Sequence, residues 1–185
     1  RAVAGRADLR ADADAAISEA IARPHPEGAL RRDVAEMRAK VAEAHRAARD
    51  DPWDLKHARG GLMDIEFAAQ GAALAAAETG GAELPLGGAS APGLLAALVR
   101  AGRMDAGEAE SLAAAHALQT RVQQVARVAQ EGPLDPARAG PGFLAALCRA
   151  TECEDLAELT ERLTRAQAGA AALVEARLGA PEAGA

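Results

Sequence analysis

Nearly all of this chain consists of alanine-rich segments whose apolar residues recur at helical spacing. This pattern predicts a helical fold. Hydrophobic residues are 50% of the 185, but alanine supplies most of them and aromatic residues are only 2%. No segment combines alternating polar and apolar positions with β-branched residues, the pattern that marks a strand. We therefore predict an all-α fold, a helical bundle of about six to seven helices with no sheet and a shallow core.

Glycine and proline indicate where the helices begin and end. The predicted loop between the two halves of the chain runs from Thr79 to Ala91. We treat residues 1–185 as a single helical domain, with a distinctive loop and helix over residues 51–78 and antiparallel helices over residues 92–178. The predicted helices are Asp8 to Arg23 (ended by Pro24 and Pro26), Glu27 to Arg49, one beginning at Leu62, Pro92 to Ala101, one capped by Asp105 and running to about Glu131, Gly142 to Ala150, and Asp155 to Leu178.

One stretch interrupts the alanine-rich pattern, and it reads DPWDLKHARGGLMDIEFAAQ from Asp51 to Gln70. A loop with Lys56, His57 and Arg59 leads through Gly60 and Gly61 into a helix. Paired glycines allow backbone dihedrals closed to other residues and a close approach to a ligand or a neighbouring domain. Free N–H groups at a helix start, beside two cations, form an arrangement that receives phosphate in many folds. The loop carries neither a P-loop nor a Rossmann fingerprint.

The helix after the glycines is apolar on two sides, which predicts that it is largely buried. On a helical wheel, Glu66 and Gln70 fall between the two apolar stripes, and Asp64 points to the open side of the first turn. A carboxylate held between apolar stripes needs a partner, so Glu66 and Gln70 either brace the loop, through its backbone or Arg59, or face a ligand. The stripes are Leu62, Ile65, Ala69 and Ala72 on one side and Met63, Phe67 and Leu74 on the other.

Composition narrows the class of ligand. A net charge of −6 argues against nucleic acid, because binding to a phosphate backbone relies on a basic surface. Two cysteines indicate no disulfide framework, and no metal-ligand spacing is present. No apolar run is long enough for a membrane span and no signal peptide is evident. We expect an excised cytoplasmic domain whose histidines are structural, except His57, which the loop could bring to a ligand.

The interrupting stretch resembles a known signature. Lys56, Gly60 and Gly61, the run Asp64-Ile65-Glu66-Phe67 and then Gln70 are similar to the motif of the bacterial glutamine synthetase adenylyltransferases. These bifunctional enzymes attach AMP to a tyrosine of glutamine synthetase and also remove it. In that family the motif follows a nucleotidyltransferase domain in each half of the protein, and the DIEF form resembles the adenylylating half.

The flanking sequence extends the resemblance to nearly the whole chain. The Met37-Arg38 pair is also typical of the family, although Arg38 could equally be a charge on a solvated face. Ala68 and Ala69 replace bulkier aliphatic residues of the motif, and Gly71 replaces an aromatic residue. The family's catalytic domain carries a Gly-Ser followed by an Asp-x-Asp on a strand, and no such segment is present here. The acidic pair Asp12 and Asp14 has that spacing, but it lies in a predicted helix with no β-branched strand before it.

The resemblance implies a role for each residue of the signature. We expect Lys56, Arg59, Gly60 and Gly61 to contact a nucleotide, with support from Asp64, Glu66, Gln70 and Arg38. It further implies a chain that is inactive alone and works within a multidomain enzyme. That enzyme would use ATP and Mg²⁺, neither bound tightly here. Its partners would be glutamine synthetase, a PII-type signal protein and its own nucleotidyltransferase domain, with no nucleic acid or membrane.

Two alternatives stay open. The chain could be a non-catalytic interaction module that docks glutamine synthetase or a PII-type signal protein through exposed helices. It could also be the equivalent domain of the deadenylylating half or of a PII uridylyltransferase.

Overall fold

The computed structural model describes residues 4–21, 28–78, 84, 89–129 and 134–179. Within them the chain forms seven α-helices and no strand, so the predicted all-α class is confirmed. None of these helices is both long enough and apolar enough to cross a bilayer. The helices are α1 (Ala7–Ile21), α2 (Ala29–Ala44), α3 (Leu62–Glu78), α4 (Ala91–Arg100), α5 (Ala106–Ala129), α6 (Pro141–Thr151) and α7 (Leu156–Leu178), with 3-10 turns at Arg46–Ala48 and Pro136–Arg138.

Side-chain caps begin three of the helices. Ser90 Oγ accepts the Gly93 N–H at 3.4 Å at the start of α4. Asp105 Oδ1 accepts the Glu108 N–H at 3.1 Å, which confirms the predicted cap of α5. Asp155 Oδ1 accepts the Glu158 N–H at 2.8 Å at the start of α7. Each bond satisfies a backbone donor that lacks a partner within the helix, so the short polar residues before the apolar runs mark these helix starts.

The second helix differs from its prediction in length and in orientation. It ends at Ala44 rather than Arg49, because His45 leaves the helical conformation at φ −118° and a 3-10 turn follows. Met37, expected in the apolar stripe, is 51% exposed, whereas Arg38 is only 2% exposed. The alternative of Arg38 as a solvated charge is therefore wrong. The contacts that turn this face inward belong to α3 and α7 and are described with the site.

Two apolar clusters form the core. The larger lies between α3, α4, α5 and α7, where Ile65, Leu98 and Leu112 are fully buried. The smaller joins α5, α6 and α7 to the loop before α3, and Leu55 of that loop packs with Leu147 and Leu163. The loop is therefore anchored by a side chain of its own in the core.

Some predictions fall outside the described residues. These are the predicted end of the first helix with its two prolines, the start of the second, most of the loop from Thr79 to Ala91, and the Gly132-Pro133 stop after α5.

Candidate functional site

The loop before α3 folds back on the start of that helix. Leu55 O accepts the Leu62 N–H at 2.9 Å, Lys56 O accepts the Met63 N–H at 3.2 Å, and Ala58 O accepts the Gly61 N–H at 2.7 Å. These are the groups that we expected to be free for phosphate. Because the loop's own carbonyls occupy them, the prediction of an open anion site at the start of α3 is wrong.

Gly60 allows the close approach that its sequence suggested, but the neighbour is α7. Gly60 has φ +76°, and a Cβ there would lie 1.9 Å from the Gln167 carbonyl oxygen. A Cβ on Gly61 would lie 2.8 Å from the carbonyl oxygen of Ala58. Both glycines are buried. They serve the packing of the loop on itself and on α7, and their predicted contact with a nucleotide stays a prediction.

Two buried glutamines join the loop to α5 and α7. Gln119 Nε2 donates to Gly60 O at 3.2 Å. Gln167 Nε2 donates to Gln119 Oε1 at 3.2 Å and to Pro52 O at 3.0 Å. Buried amides are stable when bonded in this way, so the pair fixes the loop's backbone from two helices.

Sequence reasoning missed this pair, although a signal was present. Gln119 stands at helical spacing between Ala115 and Val122, and Gln167 stands four residues after Leu163. A polar residue at a core position of an apolar stripe indicates a buried hydrogen bond.

Asp64 is the central carboxylate of the site. It is 4% exposed and accepts bonds from Arg38 Nε at 3.0 Å, Arg38 Nη2 at 3.3 Å and the Gly60 N–H at 2.9 Å. Arg49 Nη2 lies 3.4 Å from Oδ2. Burial alone would raise the pKa of the Asp64 carboxyl, but these bonds and charges together hold that pKa below its ordinary value. The carboxylate is therefore ionised and ties α2, the loop and α3 together.

The predicted orientation of α3 is thus reversed for its polar residues. Asp64 was expected on the open side and is buried, whereas Glu66 and Gln70 were expected to be buried and are exposed. The reason is the charge pair, since a buried Arg38 requires a carboxylate opposite it. Of the four residues predicted to support the loop, Asp64 and Arg38 are bonded to each other, and Asp64 also accepts the Gly60 N–H of the loop. The supporting role of Glu66 and Gln70 stays a prediction.

Arg59 is held by α7. Its Nε and Nη2 donate to the two carboxylate oxygens of Glu175 at 2.7 and 2.6 Å. The hydrogen bond from Arg59 is the main reason why the pKa of the Glu175 carboxyl is lowered. The pair is a bidentate link between loop and helix, the stronger geometry for an arginine and a carboxylate.

On the other side of the loop, His57 and Lys56 border an open groove. The His57 ring stacks on His45 with centroids 3.6 Å apart and planes 8° apart, and its Nδ1 lies 3.1 Å from Asp54 Oδ1. Burial is the main reason why the pKa of His57 is lowered, which favours the neutral ring at neutral pH. The groove has a volume of about 410 Å³, and Gln123 of α5 also lines it.

The two cations predicted to bind a nucleotide, Lys56 and Arg59, thus lie on different sides of the loop. Lys56 is exposed and lines this groove, whereas Arg59 faces α7, next to a smaller hollow of about 200 Å³. Over the described ranges, no three His, Cys, Asp or Glu side chains are grouped so that they could hold a metal ion.

The fold and the anchored loop define a class, a helical bundle built around a Lys-x-x-x-Gly-Gly-x-x-Asp-Ile-Glu-Phe signature. The family model described as GlnD PII-uridylyltransferase matches residues 29–136, from α2 to the 3-10 turn before α6. The match covers more than half of the chain. The chain belongs to this family.

Curated relatives give the same result and confirm the resemblance seen in the signature. A protein of Caulobacter vibrioides is 39% identical over 169 residues, which are 91% of this chain and 16% of the relative. A protein of Rhizobium meliloti is 33% identical over 165 residues, 89% of this chain and 16% of the relative. Both are named bifunctional glutamine synthetase adenylyltransferase/adenylyl-removing enzyme. The chain spans about a sixth of their length.

Proposed function

We propose that this chain is the helical domain of a bifunctional glutamine synthetase adenylyltransferase/adenylyl-removing enzyme, from its adenylylating half. The domain packs on a nucleotidyltransferase domain and helps to form the nucleotide site. The observation that supports this most is the signature loop, which is fixed by α3, α5 and α7 while its one lysine stays exposed. A rigid frame around an exposed cation suits a group that must meet a ligand in one position.

The reaction proposed for the whole enzyme transfers AMP from ATP to a tyrosine hydroxyl of glutamine synthetase and releases pyrophosphate. Mg²⁺ would neutralise phosphate charge and would be held by carboxylates of the other domain. On this chain Lys56 is positioned to bind a phosphate oxygen of ATP, since its ammonium is exposed beside the groove. Asp64, Arg38 and Arg49 act through the loop, because they hold its backbone in place.

The other partners follow from the same proposal. A PII-type signal protein would regulate the enzyme, and the cytoplasm would be its compartment. Glu66 and Gln70 are exposed on α3 and would be available to the neighbouring domain.

The test replaces the matching segment of the Caulobacter vibrioides relative with this chain and measures adenylylation of glutamine synthetase. Lys56→Ala should lower kcat/KM on the order of 10–100-fold, the effect of losing one hydrogen bond to a charged group. Lys40→Ala is the matched control, because Lys40 is the other lysine of the chain and is exposed on α2. Equal rates for both variants and the parent chimera would remove Lys56 from the site.

A second candidate is favoured by the family model, whose description refers to a PII-uridylyltransferase. In that case the chain would act on or dock with a PII-type signal protein. Calorimetric titration of the chain with a PII-type protein tests this candidate. Saturable binding that Lys56→Ala leaves unchanged would favour a chain that docks a PII-type signal protein. No heat of binding would count against this second candidate.

A further inference from the structure

Most cations around the signature are neutralised within the chain. Arg38 and Arg49 pair with Asp64, and Arg59 pairs with Glu175. Lys56 and Arg127 differ, since neither side chain has an ion-pair partner among the residues that the structure describes. Both nevertheless line the same groove. Lys56 and Arg127 thus line one cavity and lack ion-pair partners within the described part of the chain, so both are available to an anion from outside.

The residues that line the groove come from different parts of the fold. Lys56 belongs to the loop, which the buried glutamines fix to α5. Gln123 and Arg127 are one turn apart on α5 and face the same groove. Because Gly60 is bonded directly to Gln119, one turn before Gln123, the hydrogen bond ties the loop that carries Lys56 to α5.

The shape and chemistry of the groove fit a nucleotide. Its volume of about 410 Å³ lies in the range of small-molecule sites. Trp53 and Leu134 supply apolar surface along it, and a tryptophan ring offers a face on which a base can stack. The groove therefore combines a surface for an aromatic base with cations for phosphate.

Two carboxylates also line the groove, and both are engaged. Asp51 Oδ1 accepts the Trp53 N–H at 2.9 Å. Asp54 Oδ1 accepts the His57 N–H at 2.9 Å and lies 3.1 Å from its Nδ1. Donors from the loop thus offset part of their negative charge, which reduces their repulsion of a phosphate.

We infer that Arg127 of α5 is the second phosphate-binding cation of the nucleotide site, together with Lys56, and that Gln123 contributes an amide. This inference rests on the proposed function and assigns the nucleotide to this groove. Arg127 takes the place expected for Arg59, which is paired with Glu175 on the α7 side of the loop. Arginine suits the role, because its planar fork can bind two phosphate oxygens at once.

The experiment uses the full-length chimera and separates KM for ATP from KM for glutamine synthetase. Arg127→Gln should raise KM for ATP on the order of ten-fold and leave KM for glutamine synthetase unchanged. Arg127→Lys should restore part of the loss, since it keeps the charge. Arg100→Gln is the matched control, an exposed arginine on α4 outside the groove. Arg127 is itself exposed, so melting temperatures should agree among the variants.

The outcomes distinguish this inference from the proposed function. A raised KM for ATP in both Lys56→Gln and Arg127→Gln supports both. A defect in Lys56→Gln alone, with Arg127→Gln equal to Arg100→Gln, overturns the role of Arg127 and leaves the proposed function standing. Parent-like values in all three variants overturn both.

Discussion

Gly60→Ala should lower the free energy of unfolding of this domain more than an alanine substitution at any nearby glycine. A Cβ at this position would lie 1.9 Å from the Gln167 carbonyl oxygen and 2.8 Å from the Ala171 amide nitrogen. Both atoms belong to the backbone of α7, so no side chain can rotate away. The residue also has φ +76°, a conformation that L-residues adopt at a cost.

The two costs can be estimated separately. The positive φ costs about 1–2 kcal/mol for a residue with a Cβ. Forcing an extra carbon into a packed interface costs about 1–3 kcal/mol, and the fixed backbone of α7 places this case at the upper end. Together they lower the free energy of unfolding by about 3–5 kcal/mol, a large part of the stability of a typical domain. The melting temperature should fall by roughly 6–20 °C in a domain of this size.

Gly102 provides a matched control. It has φ +66°, and a Cβ added there would meet none of the described residues within 4 Å, so Gly102→Ala should incur only the backbone cost. Urea and thermal unfolding, followed by circular dichroism, measure both variants. Equal losses of stability for Gly60→Ala and Gly102→Ala would refute the close approach of the loop to α7.

Three further predictions concern the polar groups of the site. Asp64→Asn should lower the free energy of unfolding by about 3–5 kcal/mol, because it leaves the buried charge of Arg38 without its carboxylate; chemical denaturation measures this, and a loss below about 1 kcal/mol would contradict it. Gln119→Leu and Gln167→Leu, combined in a double-mutant cycle, should show a coupling energy of about 0.5–3 kcal/mol, whereas additive effects would argue against their bond. The pKa of His57 is lowered from its ordinary value of 6.5, so its contribution to stability is complete above about pH 6.5 and is lost as the pH falls through the lowered pKa. His57→Gln should therefore reduce the loss of stability on acidification. An unchanged dependence of the unfolding free energy on pH would exclude this contribution.

The sequence was sufficient for the starts of α4, α5 and α7, because the signals that define them are local. Asp105 and Asp155 stand directly before apolar runs, and their carboxylates cap α5 and α7. Pro92 falls in the first turn of α4, where its missing N–H has no cost. Such signals depend on a few neighbouring residues, so they can be read without knowledge of the tertiary structure.

The orientation of α2 and α3 could not be predicted in the same way. Spacing shows which residues share a face, but alanine on several faces gives little contrast between inside and outside. The decision rests on Arg38 and Asp64, which meet across 26 positions of the chain. A pattern within one helix contains no information about that partner, so the spacing assigns Met37 and Glu66 to the wrong environment.

For the site as well, the sequence predicts local features but not the contacts between distant parts of the chain. The residues from Asp51 to Gly61 identify the loop as a unit, and the paired glycines indicate a close approach at position 60. The neighbour that imposes this need, the backbone of α7, lies more than a hundred positions along the chain. The presence of α5 residues in the same groove as Lys56 likewise depends on the packing of the bundle, which the sequence alone does not display.

The buried glutamine bridge has a consequence for the order in which the domain can assemble. Pro52 O and Gln167 are 115 positions apart, and Arg59 and Glu175 are 116 apart. At a synthesis rate of about 5–20 residues per second, α7 follows the loop by roughly 5–25 s. The signature is therefore made early, but its contacts with α7 form only after that helix has been made. A chain that stops before α7 would carry every residue of the signature and still lack the bonds that Gln167 and Glu175 make to the loop.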